Sequence, residues 1–149
     1  ARHDPWPCRR DSAGDVGVIN VDMFGYDGDG DRCFEIHVGA EGSDALGQAV
    51  IQAIDTWQLN LRYDYITYRA MELSDYYPFY MRQIPTVMIE ENFLDATSEG
   101  GCVGKDPTPN WHLARDTVDD VMSAYAFDIS RAATLAVLSL AGANPIVME

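Results

Sequence analysis

Lysine is nearly absent from this chain of 149 residues: Lys105 is its only lysine, and its other basic residues are arginines. Aspartate and glutamate together number 24, which gives a formal net charge of −14. A chain of this charge repels nucleic acid and anionic membrane surfaces, so we expect neither as a partner. The same composition occurs in ordinary acidic soluble proteins and in proteins that work in high salt, and both interpretations stay open.

Long apolar runs are also lacking. None reaches the roughly 18 residues that a membrane-spanning helix needs, and the most apolar stretch, residues 132–141, is predicted to be a buried helix. There is no signal-peptide pattern at Ala1, from which we expect a processed chain or a fragment. With 47% hydrophobic residues, residues 1–149 are expected to form one globular domain with a core of its own.

Cysteines are few, and their spacing argues against one kind of metal site. Cys8, Cys33 and Cys102 include no Cys-x-x-Cys pair, so a structural zinc site built from cysteines is not expected. One disulfide with a free thiol and three reduced thiols are equally compatible with this count.

What the sequence does contain is an alternation of strand and helix patterns, which predicts an α/β domain. A nearly continuous β-branched run at residues 16–23 is typical of a buried strand of the parallel or central kind. Ser43 or Asp44 is predicted to cap the first helix, and Pro78 to lie in the first turn of a short one. The predicted strands are 16–23, 34–38, 61–67 and 84–89, and the predicted long helices are 43–60 and 117–141.

The loop from Gly25 to Asp31 carries aspartate at three alternate positions, as calcium-binding loops do. The sixth position of that pattern is Arg32, where glycine is needed, and the twelfth is Val38, where glutamate is needed. We therefore expect a solvated acidic turn without specific calcium binding.

Two side chains stand where metal ligands are expected. Asp22 falls near the carboxyl end of the strand predicted at residues 16–23, and in open α/β sheets ligands bind at that end of the strands. His112 follows Trp111 on a long loop, just before the helix predicted to start at Thr117, and histidine is the commonest metal ligand. An aspartate at a turn and a loop histidine beside a helix cap remain open as purely structural interpretations.

Three segments in a fixed order resemble the co-catalytic zinc exopeptidases, the family of secreted bacterial leucyl-type aminopeptidases, whose fold glutaminyl cyclases share. The family pattern is Leu-Asp-Met, then Ser-Asp-His-x-Pro-Phe with Gly-Ile-Pro, then His-Thr-x-x-Asp-Thr. The matching segments here are Val21-Asp22-Met23, then Ser74-Asp75-Tyr76-Tyr77-Pro78-Phe79 with Ile84-Pro85, then Trp111-His112 with Asp116-Thr117.

This resemblance implies a fold and roles for individual residues. The fold would be a mixed, mainly parallel sheet flanked by helices, of the phosphorylase/hydrolase-like zinc exopeptidase type, incomplete at its N-terminal side. Two zinc ions would share a bridging carboxylate, with Asp22 a ligand of one ion and His112 a ligand of the other. Asp75 would orient the ligands from outside, and Asp116 would support the loop of His112. The implied substrate-binding residues are Met23, Tyr76 and Trp111, although core packing is an equally good interpretation of Met23.

Several positions depart from the family pattern. Tyr76 stands where the family prefers histidine, Gln83 where it prefers glycine and Leu113 where it prefers threonine, but none of these removes a ligand. The larger departure is that the family's first histidine, bridging aspartate, ligand glutamate and catalytic glutamate have no counterpart. The pair Glu90-Glu91 follows the strand after Ile84-Pro85, so we reject it as the catalytic pair and expect no catalytic residue in this chain.

The first functional hypothesis is a zinc-dependent, aminopeptidase-like hydrolase that releases N-terminal amino acids from a peptide substrate outside the cytoplasm. This chain would be the C-terminal half of the catalytic domain, inactive alone, and its partner would be the missing N-terminal half or another chain. The second hypothesis, from a different class, is a non-catalytic scaffold or self-associating binding protein derived from the same fold. A glutaminyl cyclase is a third option, since Trp-His also suits that branch.

Overall fold

Four strands form one mixed sheet in the computed structural model, which describes residues 17–67, 72, 74–94 and 101–142. The strands are β1 (Val18–Val21), β2 (Cys33–Val38), β3 (Arg62–Ile66) and β4 (Thr86–Glu91), and they lie side by side in the order β1, β4, β2, β3. β1 runs parallel to β4 and β2 runs parallel to β3, while β2 and β4 are antiparallel in the middle.

Among the described residues, three α-helices and one 3₁₀ turn accompany the sheet. They are α1 (Ser43–Thr56), α2 (Tyr77–Tyr80), the 3₁₀ turn (Val118–Asp120) and α3 (Ser123–Leu140). Within the described ranges, no helix combines the length and the apolar character that crossing a membrane requires. The mixed sheet with its helices confirms the expected α/β class.

The apolar core lies between one face of the sheet and the helices α1 and α3, which pack against each other. Alternation along β2 sends Phe34, Ile36 and Val38 to this face, where all three are buried. α1 approaches the sheet closely at Gly47, where an added Cβ would lie 2.8 Å from Cγ1 of Val38. The helices complete the core with Leu46, Val50 and Ile54 of α1 and Tyr125, Ile129, Ala132 and Ala136 of α3.

The opposite face of the sheet is polar and nevertheless buried. It carries the alternate residues of the same strands, so that Glu35 and His37 of β2 lie beside Glu90 of β4, which pairs with Glu35. Asn20 of β1 pairs with Met88 on this face, and Met88 in turn pairs with His37. Polar groups on this face need partners within the protein, since water does not reach them.

The ends of the two long helices differ from those predicted. The cap predicted from Ser43 or Asp44 is wrong: Gly42, with φ 83°, is the N-cap, and the Ser43 hydroxyl accepts the backbone N–H of Thr86 at 2.8 Å. α1 ends at Thr56, earlier than the predicted residue 60. α3 begins at Ser123 because the first turn after Thr117 is a 3₁₀ turn, after which Val121 is extended.

A disulfide joins Cys33 of β2 to Cys102, with a Cα–Cα distance of 5.6 Å. Of the two alternatives left open by the cysteine count, the structure therefore contains the disulfide, while Cys8 lies outside the described residues. The backbone N–H of Cys102 also donates to Oδ1 of Asp64 on β3, at 2.9 Å. Both contacts fix the beginning of the loop that leads to His112 against the sheet.

Candidate metal and substrate site

The candidate site lies at the edge of the sheet where β1 and β4 end. Since these strands are parallel, their carboxyl ends meet, and Asp22 follows β1 while Glu91 ends β4. β2 and β3 run the other way and begin at the same edge. The loop that carries His112 starts from this edge at Cys102.

Asp22 is held by both its backbone and its carboxylate. Its N–H donates to the carbonyl oxygen of Ile89 at 2.9 Å, which continues the pairing of β1 with β4. The hydroxyl of Ser74 donates to Oδ2 of Asp22 at 2.9 Å and accepts from the side-chain amide of Asn20 at 3.0 Å. Ser74, which is buried, thus orients the carboxylate that the sequence singled out as a ligand.

His112 lies on an exposed loop, next to an aromatic pair formed by Trp111 and Phe93. Its ring centroid is 4.2 Å from that of Trp111, and Trp111 meets the ring of Phe93 edge to face at 6.0 Å. The φ angles of His112 and Met23 are 58° and 48°, in the left-handed region that non-glycine residues rarely adopt. Backbone strain of this kind is common at functional sites, and here it occurs at His112 and directly after Asp22, but also at Arg32, Gln58 and Gln83.

Glu91 joins the two loops that carry Asp22 and His112. One of its carboxylate oxygens accepts the N–H of Tyr26 at 3.2 Å and the other accepts the N–H of Thr108 at 2.7 Å. Its own N–H donates to the carbonyl oxygen of Met23 at 2.8 Å. Burial raises the pKa of Glu91 to about 7, although the hydrogen bonds from Thr108 and Tyr26 lower it.

A second set of hydrogen bonds supports the His112 loop from the helix side. The side-chain amide of Asn110 donates to Oδ2 of Asp120 at 2.9 Å and accepts from Nε of Arg115 at 2.6 Å. Thr117 and Asp120 form a capping box around the 3₁₀ turn. Asp116, the residue expected to support this loop, is exposed in the structure, and its backbone N–H donates to the carbonyl oxygen of Leu113 at 3.0 Å.

The remaining predicted residues differ in how they relate to this edge. Asp75 is exposed beside Ser74, which makes the contact with Asp22, and Tyr76 is buried with 2% exposure near the ring of Tyr80. Trp111 is 38% exposed and offers an open apolar surface. The roles of Asp75, Tyr76, Trp111 and Met23 stay predictions, and Ser74 and Glu91 are the residues whose contacts the sequence did not indicate.

A separate cluster of titratable groups is buried on the polar face of the sheet. Nε2 of His37 lies 2.7 Å from Oε2 of Glu35 and 2.9 Å from Oε1 of Glu90. Burial by itself lowers the pKa of His37, but its close contacts with the carboxylates of Glu35 and Glu90 outweigh burial and raise this pKa to about 9. Burial raises the pKa of Glu90, against the lowering effect of His37.

The acidic loop forms the second cluster of possible ligands among the described residues. Oxygen atoms of Asp27, Asp29 and Asp106 lie within 4.8 Å of one another. However, Oδ2 of Asp106 already accepts the N–H groups of Gly28 and Asp29, and Oδ1 of Asp27 accepts that of Arg32. These carboxylates serve as acceptors for the turn itself.

The chemistry of Asp22 and His112 fits zinc. Zinc binds carboxylate oxygen and imidazole nitrogen, and ligands in such sites are oriented by a hydrogen bond of the kind that Ser74 makes to Asp22. A catalytic zinc has about three protein ligands, so this pair would need further ligands from elsewhere.

Comparisons with known proteins bear on the family and the fold of the chain. The sequence profile of peptidase family M28 matches residues 9–137. No curated protein matches the sequence. Among solved structures, the fold is similar to that of the aminopeptidase LapA of Legionella pneumophila, with a TM-score of 0.59 and 19% sequence identity. The match covers 85% of this chain and 31% of that aminopeptidase, so the chain spans about a third of its length.

These matches confirm the resemblance to zinc exopeptidases that the three motifs indicated, as well as the fold type that it implied. The profile covers well over half of the residues, and the chain therefore belongs to peptidase family M28.

Proposed function

We propose that this chain forms part of the active site of a zinc-dependent aminopeptidase, which removes single amino acids from the N-terminus of peptides. The observation that carries the proposal is Glu91, whose buried carboxylate binds the backbone of both loops that bear Asp22 and His112. Such a link would bring the two proposed ligands, which are far apart in the sequence, to one edge of the sheet. Because the two metals of a dinuclear site are about 3.5–4 Å apart and ligand bonds are about 2 Å long, we expect the two side chains within about 10 Å.

In the proposed enzyme, bound zinc would activate water and polarise the scissile carbonyl group. Asp22 and His112 would each hold one ion, and Ser74 would keep the Asp22 carboxylate in position through Oδ2. Trp111, packed on Phe93, would provide an apolar wall for the first side chain of the peptide. The general base has no counterpart in this sequence and would come from the remainder of the catalytic domain.

The test is a mutational one on the complete catalytic domain, with leucine 4-nitroanilide as substrate. Asp22→Asn and His112→Gln should each lower kcat/KM by at least about 100-fold, since even partners of metal ligands are worth 10–100-fold. Asp119→Asn removes an exposed carboxylate near the same loop and should leave the rate unchanged. Rates of Asp22→Asn and His112→Gln equal to that of the unaltered domain would refute the proposal.

The disulfide between Cys33 and Cys102 supports an extracytoplasmic location, which we propose with the activity. Disulfides persist in oxidising compartments and are rare in the cytosol.

A scaffold or binding role is the second candidate, and one observation favours it. Apolar side chains on the outer side of α3 are exposed, including Phe127 at 64% and Val137 at 50%. Phe127, together with Leu135 and Leu138 of α3 and with Trp57, lines a groove of about 420 Å³. Exposed apolar patches of this kind mark contact surfaces.

Mass spectrometry of the native assembly distinguishes the aminopeptidase from the scaffold. A second polypeptide segment with the missing His, Asp and Glu-Glu motifs indicates the enzyme.

A further inference from the structure

We infer that Glu35, His37 and Glu90 form a second, buried site for one divalent transition-metal ion. It is independent of Asp22 and His112 and does not depend on the proposed peptidase activity. The three residues come from β2 and β4, the two central strands, and each is at most 2% exposed. One ligand atom from each lies within 4.8 Å of the others.

The strand register builds this site. Glu35 and Glu90 are direct partners across the antiparallel pair, and His37 follows Glu35 by two residues, so all three side chains leave the same face. The second oxygen of Glu35 accepts the backbone N–H of Leu94, which orients that carboxylate. Ligands on paired central strands need no loop movement to converge.

One acceptor of the cluster, Oε1 of Glu90, has no hydrogen-bond donor among the residues that the structure describes. Nε2 of His37 carries at most one proton, yet it faces both Oε2 of Glu35 and Oε1 of Glu90. Correspondingly, Oε1 of Glu90 accepts no well-formed hydrogen bond from any residue that the structure describes, although Nε2 is 2.9 Å away. A buried carboxylate oxygen without a donor is costly, and a cation at this point would satisfy it.

The ligand set defines the class of ion. Two carboxylates and one imidazole suit zinc, manganese or iron(II), whereas magnesium and calcium prefer oxygen ligands alone. Binding would release the proton of Nε2, because that nitrogen is the atom directed at both carboxylates.

The experiment uses a reference variant in which the proposed peptidase ligands are absent, Asp22→Asn with His112→Gln. After metal removal with a chelator and dialysis against zinc, this variant should retain about one equivalent of zinc. In the same background, His37→Gln and Glu90→Gln should each weaken zinc binding by at least about 10-fold. Asp29→Asn, which changes the exposed acidic cluster, should leave the stoichiometry unchanged.

Reconstitution of the reference variant with cobalt(II) gives a readout that does not depend on whether His37→Gln and Glu90→Gln fold. Visible absorption bands of a low-coordinate cobalt site with nitrogen and oxygen ligands are expected. A reference variant that retains no zinc and shows no such bands overturns the inference. The inference is also overturned if His37→Gln and Glu90→Gln fold and hold as much zinc as the reference variant. The two proposals fail separately: peptidase activity in Asp22→Asn tests the proposed function, whereas zinc held by Glu35, His37 and Glu90 in the reference variant tests this inference.

Discussion

At the scale of single residues, the carboxylate of Glu91 links the two loops that carry Asp22 and His112. Its two oxygens accept one N–H from each loop, and its own N–H donates to the carbonyl oxygen of Met23, directly after Asp22. Hydrogen bonds to a charged group contribute about 1.5–3 kcal/mol each. We therefore expect the loops that carry Asp22 and His112 to depend on Glu91 for their positions.

We predict that Glu91→Gln loosens at least one of these loops. Glutamine has one acceptor oxygen, so either Tyr26 or Thr108 loses its partner, and its amide should exchange with deuterium about 10-fold faster or more. Glu41→Gln, at an exposed position, serves as the matched control. Unchanged protection of both amides would show that Glu91 does not hold the loops.

A second prediction at this scale concerns the acidic loop. Asp27, Asp29 and Asp106 already accept backbone N–H groups, and the sequence lacks the glycine and glutamate of a calcium-binding loop. Calorimetry should therefore detect no tight, saturable binding of calcium. Tight binding that disappears in Asp29→Ala but persists in Asp119→Ala would contradict this expectation.

The sequence indicated Asp22 and His112 because each stands in a motif, whereas Ser74 and Glu91 act through contacts that cross the sheet. Asp22 and Ser74 are 52 positions apart, and Tyr26 and Glu91 are 65 apart. No local pattern reports a hydrogen bond over such a separation. The sequence signal for Glu91 is the pair Glu90-Glu91 at the end of an apolar run. This pair argues neither for nor against a residue that links two loops.

At the scale of secondary-structure elements, all four strands were predicted from apolar or alternating runs, while their directions were not. Alternation in β2 predicts one polar, solvated face, yet Glu35 and His37 are buried. Burial on the second face depends on the segments that cover it, which alternation does not report. The late start of α3 has a different cause, since the Thr117 capping box closes a 3₁₀ turn that Val121 does not continue.

The prediction at this scale concerns the disulfide between β2 and the His112 loop. It closes a loop with a sequence separation of 69, for which chain entropy predicts about 4 kcal/mol of stabilisation. Cys33→Ser with Cys102→Ser should lower the free energy of unfolding in urea by roughly that amount. Cys8→Ser is the control, and equal stability of the double variant and the control would contradict the prediction.

At the scale of the whole molecule, the match to 31% of the LapA aminopeptidase agrees with the expectation that the complete domain needs further chain. The prediction that β1 is buried is wrong: it is parallel to β4 but only half-buried, because among the described strands it lies at an edge of the sheet. α3 in turn exposes apolar side chains. An unpaired edge and an apolar patch both favour association with another segment.

We therefore predict that the isolated 149-residue chain does not hydrolyse leucyl substrates and self-associates or copurifies with a partner. Asp22 and His112 would offer each zinc one ligand where about three are needed, so zinc binding at these two positions should be weak. Light scattering after gel filtration, together with an aminopeptidase assay, checks both points. A monodisperse monomer that turns over leucyl substrates would show that the missing ligands lie within this chain.

The bond between Cys33 and Cys102 also gives the molecule a closed covalent ring that contains β2, α1, β3, α2 and β4. A protease that cuts once anywhere inside this ring opens it without releasing a fragment. The nicked protein should migrate as a single band of full mass on a non-reducing gel and separate into two pieces only after a reducing agent is added.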